Sequence, residues 1–255
     1  MLKNNLINKL DYRVDLAGVD CSVLVTDFHN NVLYKHNADK VFPSASLIKM
    51  IIARYALEYE KKDSTFMDQM ILVDPDNIEK GAGVIRGLWN HKWKVHDLIY
   101  LMLNVSDNTA TNELIKYFGL QNLSHWVQNN YSNIEIQRYM MEKSPKDNLI
   151  NLDEFMKPWE EIMNSNSKVG LTVKEALRHS LNKDKLPGLL SEIPFTGITF
   201  NKTGELANVE HDIARFVKDD KFVDCAVLTE FKSESERVKC IQFIQDVGLI
   251  MANLL

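Results

Sequence analysis

Cysteine, glycine and proline are all scarce in this 255-residue chain, which contains 3, 10 and 6 of them. The cysteine number is odd, and the spacing of Cys21, Cys225 and Cys240 fits no zinc or CxxC pattern. We therefore expect three small buried thiols. The glycines and prolines form no linker and no repeat, which excludes low-complexity and repeat architectures.

Excess charge and long apolar runs are also missing. The net charge is −5 and no Lys/Arg block occurs, so we expect no nucleic-acid partner. No apolar run reaches the roughly 18 residues that span a bilayer, so no membrane span is expected. Residues 1–10 lack the apolar core of a signal peptide, which predicts either a cytoplasmic protein or an exported one whose signal has been removed.

What is present is a mixed pattern of strands and helices. Strand patterns occupy residues 21–26, 32–36, 197–202, 211–217 and 222–230. Helical patterns occupy a short N-terminal segment and residues 43–60, 96–105, 109–117, 120–129, 152–163 and 172–181. A capping box at Ser233 and Glu236 begins a C-terminal helix.

This order predicts an α/β (α+β) fold with a five-stranded antiparallel sheet, because neither strand set is large enough alone. Helices from both termini should flank the sheet, and an all-helical domain should be inserted between strands 2 and 3. We expect a discontinuous α/β domain at 1–42 and 190–255 and an all-α domain at 43–189. The active site is then expected in the cleft between them.

Ser46 and Lys49 are three residues apart near the start of the first long helical pattern, so they share a helix face. Apolar neighbours on nearly all sides predict that this helix is buried. Burial disfavours the ammonium form of Lys49 and makes it a candidate base for the Ser46 hydroxyl. An S-x-x-K motif alone is weak, because it arises by chance about once in a chain of this size.

Two further motifs each have a structural and a functional interpretation. Ser106–Asn108 is either a helix N-cap or a second hydroxyl with an amide directed into the cleft. Lys202–Gly204 is either a surface strand that ends and turns at glycine, or an edge strand that lines the cleft. In the second case Lys202 supplies positive charge, Thr203 binds a carboxylate, and Gly204 lets a ligand approach the backbone.

The three motifs occur in the order S-x-x-K, S-D-N and K-T-G, which is typical of class A β-lactamases and penicillin-binding proteins. Nearly the whole chain resembles the class A-like branch of the β-lactamase and D,D-peptidase superfamily of penicillin-interacting serine hydrolases. The stretches 41–49, 104–112 and 202–212 look most like that branch.

The resemblance implies that Ser46 attacks an amide carbonyl and forms an acyl-enzyme. The backbone N–H groups of Ser46 and Glu205 would form the oxyanion hole. The other implied roles are proton transfer by Lys49 and Ser106, binding of the acylamido side chain by Asn108, and carboxylate binding by Lys202 and Thr203.

The sequence departs from the family where a class A enzyme has the Glu, followed by x-x-Leu-Asn, that activates the hydrolytic water. The matching region, Gln137–Asp147, has no such motif. An equal-length alignment from Ser106 puts Glu142 at the position of the family's catalytic Glu, whereas alignment at Leu123 puts Met141 at that position. Glu142 is therefore either the residual base or a solvated loop residue, and acylation is expected with weak deacylation.

His211 stands where the family often has an Arg that binds the substrate carboxylate. It is either a weaker binder of that carboxylate or a structural histidine.

The expected function is a serine hydrolase that forms an acyl-enzyme with β-lactams, a class A-like β-lactamase. The alternatives are a D,D-peptidase or esterase of the same fold, or a non-hydrolysing binder of β-lactams or peptidoglycan. We expect a small-molecule or peptidoglycan-like substrate, a monomer, and no metal or cofactor.

Overall fold

The structure, a computed structural model, describes residues 2–255. Its helices are α1 (Leu2–Ala17), α2 (Ile48–Lys62), α3 (Val95–Asn104), α4 (Asn108–Phe118), α5 (Leu120–Asn130), α6 (Leu152–Met163), α7 (Lys168–Arg178) and α8 (Glu234–Ala252). Its strands are β1 (Asp20–Asp27), β2 (Val32–His36), β3 (Phe42–Pro43), β4 (Met70–Leu72), β5 (Lys92–Lys94), β6 (Leu149–Ile150), β7 (Ile198–Leu206), β8 (Val209–Lys218) and β9 (Lys221–Glu230).

Five of the strands form one antiparallel sheet in the order β2-β1-β9-β8-β7. Strands from the two ends of the chain meet where β1 pairs with β9. The predicted five-stranded antiparallel sheet is therefore confirmed. Strand β7, which carries the K-T-G motif, lies at one edge of this sheet.

Helices α1 and α8 pack together and contribute to one apolar core with the sheet. Leu10 of α1 and Val247 of α8 are fully buried in this core beside Val25 and Phe216 of the strands. The helices flank the sheet as predicted, because each buries its apolar stripe on it. The three cysteines are buried free thiols, also as predicted.

The chain divides into two compact units. The first, here called the sheet unit, comprises Met1–Leu47, Asn151–Asp153 and Asn182–Leu255. The second, the helical unit, comprises Ile48–Ile150 and Glu154–Leu181. In the helical unit, α3 packs on α4 and α7, and α2 contributes a run of buried residues from Ile48 to Ala53.

Three local predictions were wrong. Helix α2 begins at Ile48 instead of residue 43, because Ala45 has φ of +47°, a left-handed conformation that interrupts a right-handed helix. Strand β7 does not end at Lys202, because its pairing with β8 continues to Leu206. The helix predicted at 172–181 is α7, which spans Lys168–Arg178 instead. Ser233 caps α8 as predicted by accepting from the Glu236 N–H at 3.3 Å, although the Glu236 carboxylate accepts from the N–H of Lys232.

None of the helices in residues 2–255 combines the length and the apolar character needed to cross a membrane.

Candidate active site

Ser46 lies in a 3₁₀ turn, Ala45–Leu47, directly before α2. The turn is closed by the N–H of Leu47, which donates to the Ser44 carbonyl at 3.0 Å. Ala45 and Leu47 are buried, whereas Ser46 is partly exposed. The left-handed φ of Ala45 is the kind of backbone strain that tends to occur at functional positions.

Gly204 of β7 lies directly against this turn. A Cβ atom at position 204 would lie 3.2 Å from the Ala45 Cβ and 3.3 Å from both the Leu47 Cγ and the Ser44 oxygen. These separations are shorter than ordinary contacts, so the glycine lets the strand and the turn pack closely. Within the sheet unit, the structure thus brings the Ser46 turn and the K-T-G strand together.

Lys202 is buried beside a second buried ionisable group. Its Nζ donates to the Thr203 carbonyl at 2.7 Å. Burial lowers the pKa of Lys202 to about 7, and the nearby Asp212 carboxylate opposes that shift. Burial likewise raises the pKa of Asp212 to about 7, although its carboxylate accepts from the Leu186 N–H at 2.9 Å. Lys202 is therefore a cation whose charge is sensitive to pH near neutrality.

His211, on β8 opposite Gly204, is fully buried. Its Nε2 donates to the Pro43 carbonyl at 2.9 Å, and its Nδ1 accepts from the Thr229 N–H at 3.2 Å. Burial lowers the pKa of His211 to about 4, so the ring is neutral near pH 7. These contacts favour the structural interpretation of His211 over the carboxylate anchor.

A buried ion pair beneath the K-T-G strand was not anticipated from the sequence. The Nζ of Lys185 lies 2.5 Å from Glu210 and donates to the Gly204 carbonyl at 3.2 Å. Glu210 also accepts from Nε of Arg237 at 2.7 Å. Glu205, the predicted oxyanion-hole residue, follows Gly204 in β7 with an exposed side chain. Through Arg237, this ion pair links the Gly204 carbonyl to α8. No short motif indicates the pair, because Lys185 and Glu210 are far apart in sequence.

Lys49, the second residue of α2, is fully buried in the helical unit. Its Nζ donates to the Ser106 carbonyl at 2.7 Å, to Ser106 Oγ at 3.0 Å and to Asn108 Oδ1 at 2.9 Å. The structure thus brings together three of the predicted site residues. This geometry allows direct proton exchange between the lysine amine and the serine hydroxyl.

The helix-cap interpretation of Ser106–Asn108 is confirmed at its middle residue, whereas the interpretation as a cleft-lining hydroxyl and amide stays a prediction. Asp107 is the N-cap of α4 and accepts from the Ala110 N–H at 2.9 Å. Ser106 has φ of +56°, and its hydroxyl together with the Asn108 amide reaches Lys49. The cap thus fixes the backbone that presents both side chains.

Glu142 lies in an irregular segment between α5 and β6. Its side chain is exposed, and its Oε2 accepts from the Tyr139 N–H at 2.9 Å. By contrast, the neighbouring Met140 is buried, and its backbone N–H and carbonyl both bond to the Asn112 side chain. The structure therefore brings the backbone of Met140, and not the Glu142 carboxylate, to helix α4.

Two further polar residues at this place, Asn112 and Glu79, were not predicted from the sequence. Asn112 lies one turn after Asn108 on α4, and its Nδ2 donates to Glu79 Oε1 at 3.1 Å. The available signal was the four-residue spacing of the asparagines, which puts both on one helix face. Glu79 carries no such signal, because an irregular segment brings it to the helix.

Solved structures with the same fold span almost the whole chain. A beta-lactamase from Sphaerobacter thermophilus has a TM-score of 0.85 at 19% identity, covering 97% of this chain and 98% of that one. A beta-lactamase from Chitinophaga pinensis has a TM-score of 0.86 at 14% identity, with 98% and 99% covered. A PBP-A mutant in an acyl-enzyme complex with penicillin G has a TM-score of 0.83 at 17% identity, covering 97% of this chain and 96% of that one. At these identities the likeness is one of fold.

Sequence comparison supplies the family. Comparison with curated protein sequences finds no match. The profile of the Beta-lactamase enzyme family, however, matches residues 5–255. Since that match covers nearly the whole sequence, the chain belongs to the beta-lactamase enzyme family.

Proposed function

We propose that the protein is a serine hydrolase that forms an acyl-enzyme with β-lactams at Ser46. The observation that carries this proposal is the buried Lys49 amine, which contacts the hydroxyl and carbonyl of Ser106 and the amide of Asn108. A buried lysine in contact with a serine hydroxyl is suited to proton transfer. Lys49 follows Ser46 by three residues, as the nucleophile and base of the family's S-x-x-K motif do.

Acylation then follows from the roles of these groups. Ser46 Oγ attacks the lactam carbonyl carbon, and its proton passes to Lys49. The backbone N–H groups of Ser46 and Glu205 stabilise the oxyanion. The lactam C–N bond breaks, and Ser106 passes a proton from Lys49 to the leaving nitrogen. Lys202 and Thr203 bind the substrate carboxylate, and Asn108 binds the acylamido side chain.

Release of the acyl group is proposed to be slow. Hydrolysis needs a water molecule held beside both a base and the ester carbon. A loosely held water reacts much more slowly, because the entropic advantage of a fixed geometry is lost. The exposed Glu142 carboxylate bonds to the Tyr139 N–H in its own loop. This observation supports a second candidate function, a penicillin binder that acylates and remains acylated. The fold similarity to a PBP-A mutant in an acyl-enzyme complex with penicillin G agrees with either function.

Labelling with a fluorescent penicillin tests the nucleophile. We expect wild-type protein to be labelled and the Ser46→Ala variant to show no label. The exposed Ser191→Ala serves as the matched control and should be labelled as wild type is. Labelling of Ser46→Ala at the wild-type level would refute the assignment, and loss of label in Ser44→Ala alone would move it to Ser44.

A further inference from the structure

The Asn112 side chain connects a carboxylate to the segment that carries Met140. This buried amide donates from Nδ2 to Glu79 Oε1 and to the Met140 carbonyl, both at 3.1 Å. Its Oδ1 accepts from the Met140 N–H at 2.8 Å. Glu79 and the Met140 backbone are therefore held at the same side chain of α4.

The segment that carries Glu79 is fixed along the start of α4 by three further hydrogen bonds. The Glu79 N–H donates to Thr109 Oγ1 at 2.9 Å. Asn108 donates from Nδ2 to the Lys80 carbonyl at 3.1 Å and from its backbone to the Ala82 carbonyl at 3.0 Å. Gly81, with φ of +85°, permits this path, since a Cβ there would lie 3.0 Å from Asn108 Nδ2.

This placement joins the Glu79 segment to Asn108, one of the residues assigned to substrate binding. Asn108 contacts the Glu79 segment through Nδ2 and Lys49 through Oδ1 at 2.9 Å. Asn108 and Asn112 lie on one face of α4, so the Glu79 carboxylate and the Lys49 amine bond to adjacent amides. Glu79 is partly buried, whereas Glu142 is exposed. Of these two carboxylates, Glu79 is the one fixed to the site helix.

We propose that Glu79, and not Glu142, is the carboxylate that activates the water for the slow hydrolysis of the acyl-enzyme, an inference that rests on the proposed function. Glu79 takes a proton from water, and the water oxygen bonds to the ester carbonyl carbon. The bond between that carbon and Ser46 Oγ then breaks, and Ser46 Oγ regains a proton. The products are the free serine and a carboxylic acid, so one water is consumed and no other reactant is needed.

Two isosteric variants test the proposal against the alternative base. Glu79→Gln keeps an oxygen that accepts from Asn112, and Glu142→Gln keeps one that accepts from the Tyr139 N–H. Purified proteins are acylated with benzylpenicillin, free drug is removed, and loss of the adduct is followed by intact-protein mass spectrometry. We expect Glu79→Gln to acylate at the wild-type rate and release at least about 100-fold more slowly. Glu142→Gln should release at the wild-type rate.

Should the glutamine variant fail to fold, Glu79→Ala is used with added formate, a small carboxylate that enters the vacated space. Formate should accelerate release from Glu79→Ala and leave wild-type release unchanged. Release within twofold of wild type in Glu79→Gln, or slowed release only in Glu142→Gln, would overturn the assignment to Glu79. Absence of any wild-type adduct and of any hydrolysed product would instead overturn the proposed function itself.

Discussion

Lys49 Nζ lies 3.0 Å from Ser106 Oγ, and the same nitrogen contacts the Ser106 carbonyl at 2.7 Å. A proton can therefore pass between the amine and the hydroxyl without a change of rotamer. Ser106 adopts a left-handed φ of +56°. The residue that follows it, Asp107, is the N-cap of α4. With this left-handed backbone, both the hydroxyl and the carbonyl of Ser106 lie within hydrogen-bond distance of the lysine amine.

The amine of Lys49 should be needed for its chemistry more than for packing. Lys49→Met keeps most of the stem volume and removes the amine. We expect a thermal midpoint near that of wild type and a loss of acylation rate of roughly 10²–10⁴-fold. The rate of adduct formation with a chromogenic or fluorescent penicillin measures this. Acylation within a few-fold of wild type in a folded variant would show that another group is the base.

Asp107 should contribute to stability through its second oxygen. Oδ2 accepts from the N–H groups of Val84 at 2.7 Å and Ile85 at 2.9 Å, while Oδ1 caps α4. Asp107→Asn keeps only one acceptor oxygen, so at least one set of buried donors is left unpaired. We expect a loss of about 2 kcal/mol or more in the free energy of unfolding.

Asp74→Asn is the matched control for that experiment. Asp74 caps a short exposed turn by accepting from the Asp76 N–H at 3.0 Å, and asparagine can make the same bond. Its effect should stay within about 0.5 kcal/mol in urea denaturation. Equal losses in the two variants would argue against the role of the second Asp107 oxygen.

Substrate carboxylate binding should weaken as pH rises through about 7. Burial lowers the pKa of Lys202 to about 7, opposed by Asp212, so the free enzyme loses the ammonium charge above that pH. We expect kcat/KM for an anionic penicillin, or the second-order acylation rate, to fall above about pH 7. A substrate with the carboxylate esterified should react more slowly and lack this fall. The same fall with the ester would place the titrating group elsewhere.

Gly204 should be sensitive to the addition of a single methyl group. The Cβ in Gly204→Ala would lie 3.2–3.3 Å from the Ser46 turn, at Ala45, Leu47 and Ser44. We expect the turn to shift, with an acylation rate lowered by about 10-fold or more, as small misplacements at a reacting centre do. Gly87→Ala, where nothing lies within 4 Å, is the control and should acylate at the wild-type rate. Wild-type acylation in Gly204→Ala would show that the contact tolerates a methyl group.

The sheet could be predicted because its signals are local and repetitive. The strand patterns at 21–26 and 222–230 fall within β1 and β9, and turn residues separate β8 from β9. The S-x-x-K, S-D-N and K-T-G motifs could be found because each is short and their order is informative. Their placement on the Ala45–Leu47 turn, the start of α4 and β7 then follows from the fold.

What could not be predicted depends on contacts between distant segments. The left-handed turn at Ala45 carries no glycine to signal it. Glu79 reaches Asn112 through an irregular segment, and the Lys185–Glu210 pair joins residues that no local pattern connects. Counting along the sequence left Glu142 as either the residual base or a solvated loop residue, and we propose Glu79 instead because hydrogen bonds fix it to α4. Side-chain position in such segments is set by tertiary contacts and not by periodicity.

Acylation of Ser46 is tested most directly by a time course of intact-protein mass after benzylpenicillin is mixed with wild-type protein and with Ser46→Ala. We expect wild type to gain the mass of one penicillin rapidly and to lose it slowly, while Ser46→Ala gains none. Turnover at about 10 per second or more with no detectable adduct would contradict slow release. An adduct on Ser46→Ala equal to that on wild type, or no reaction in either protein, would contradict the assignment of Ser46 as the acylated serine.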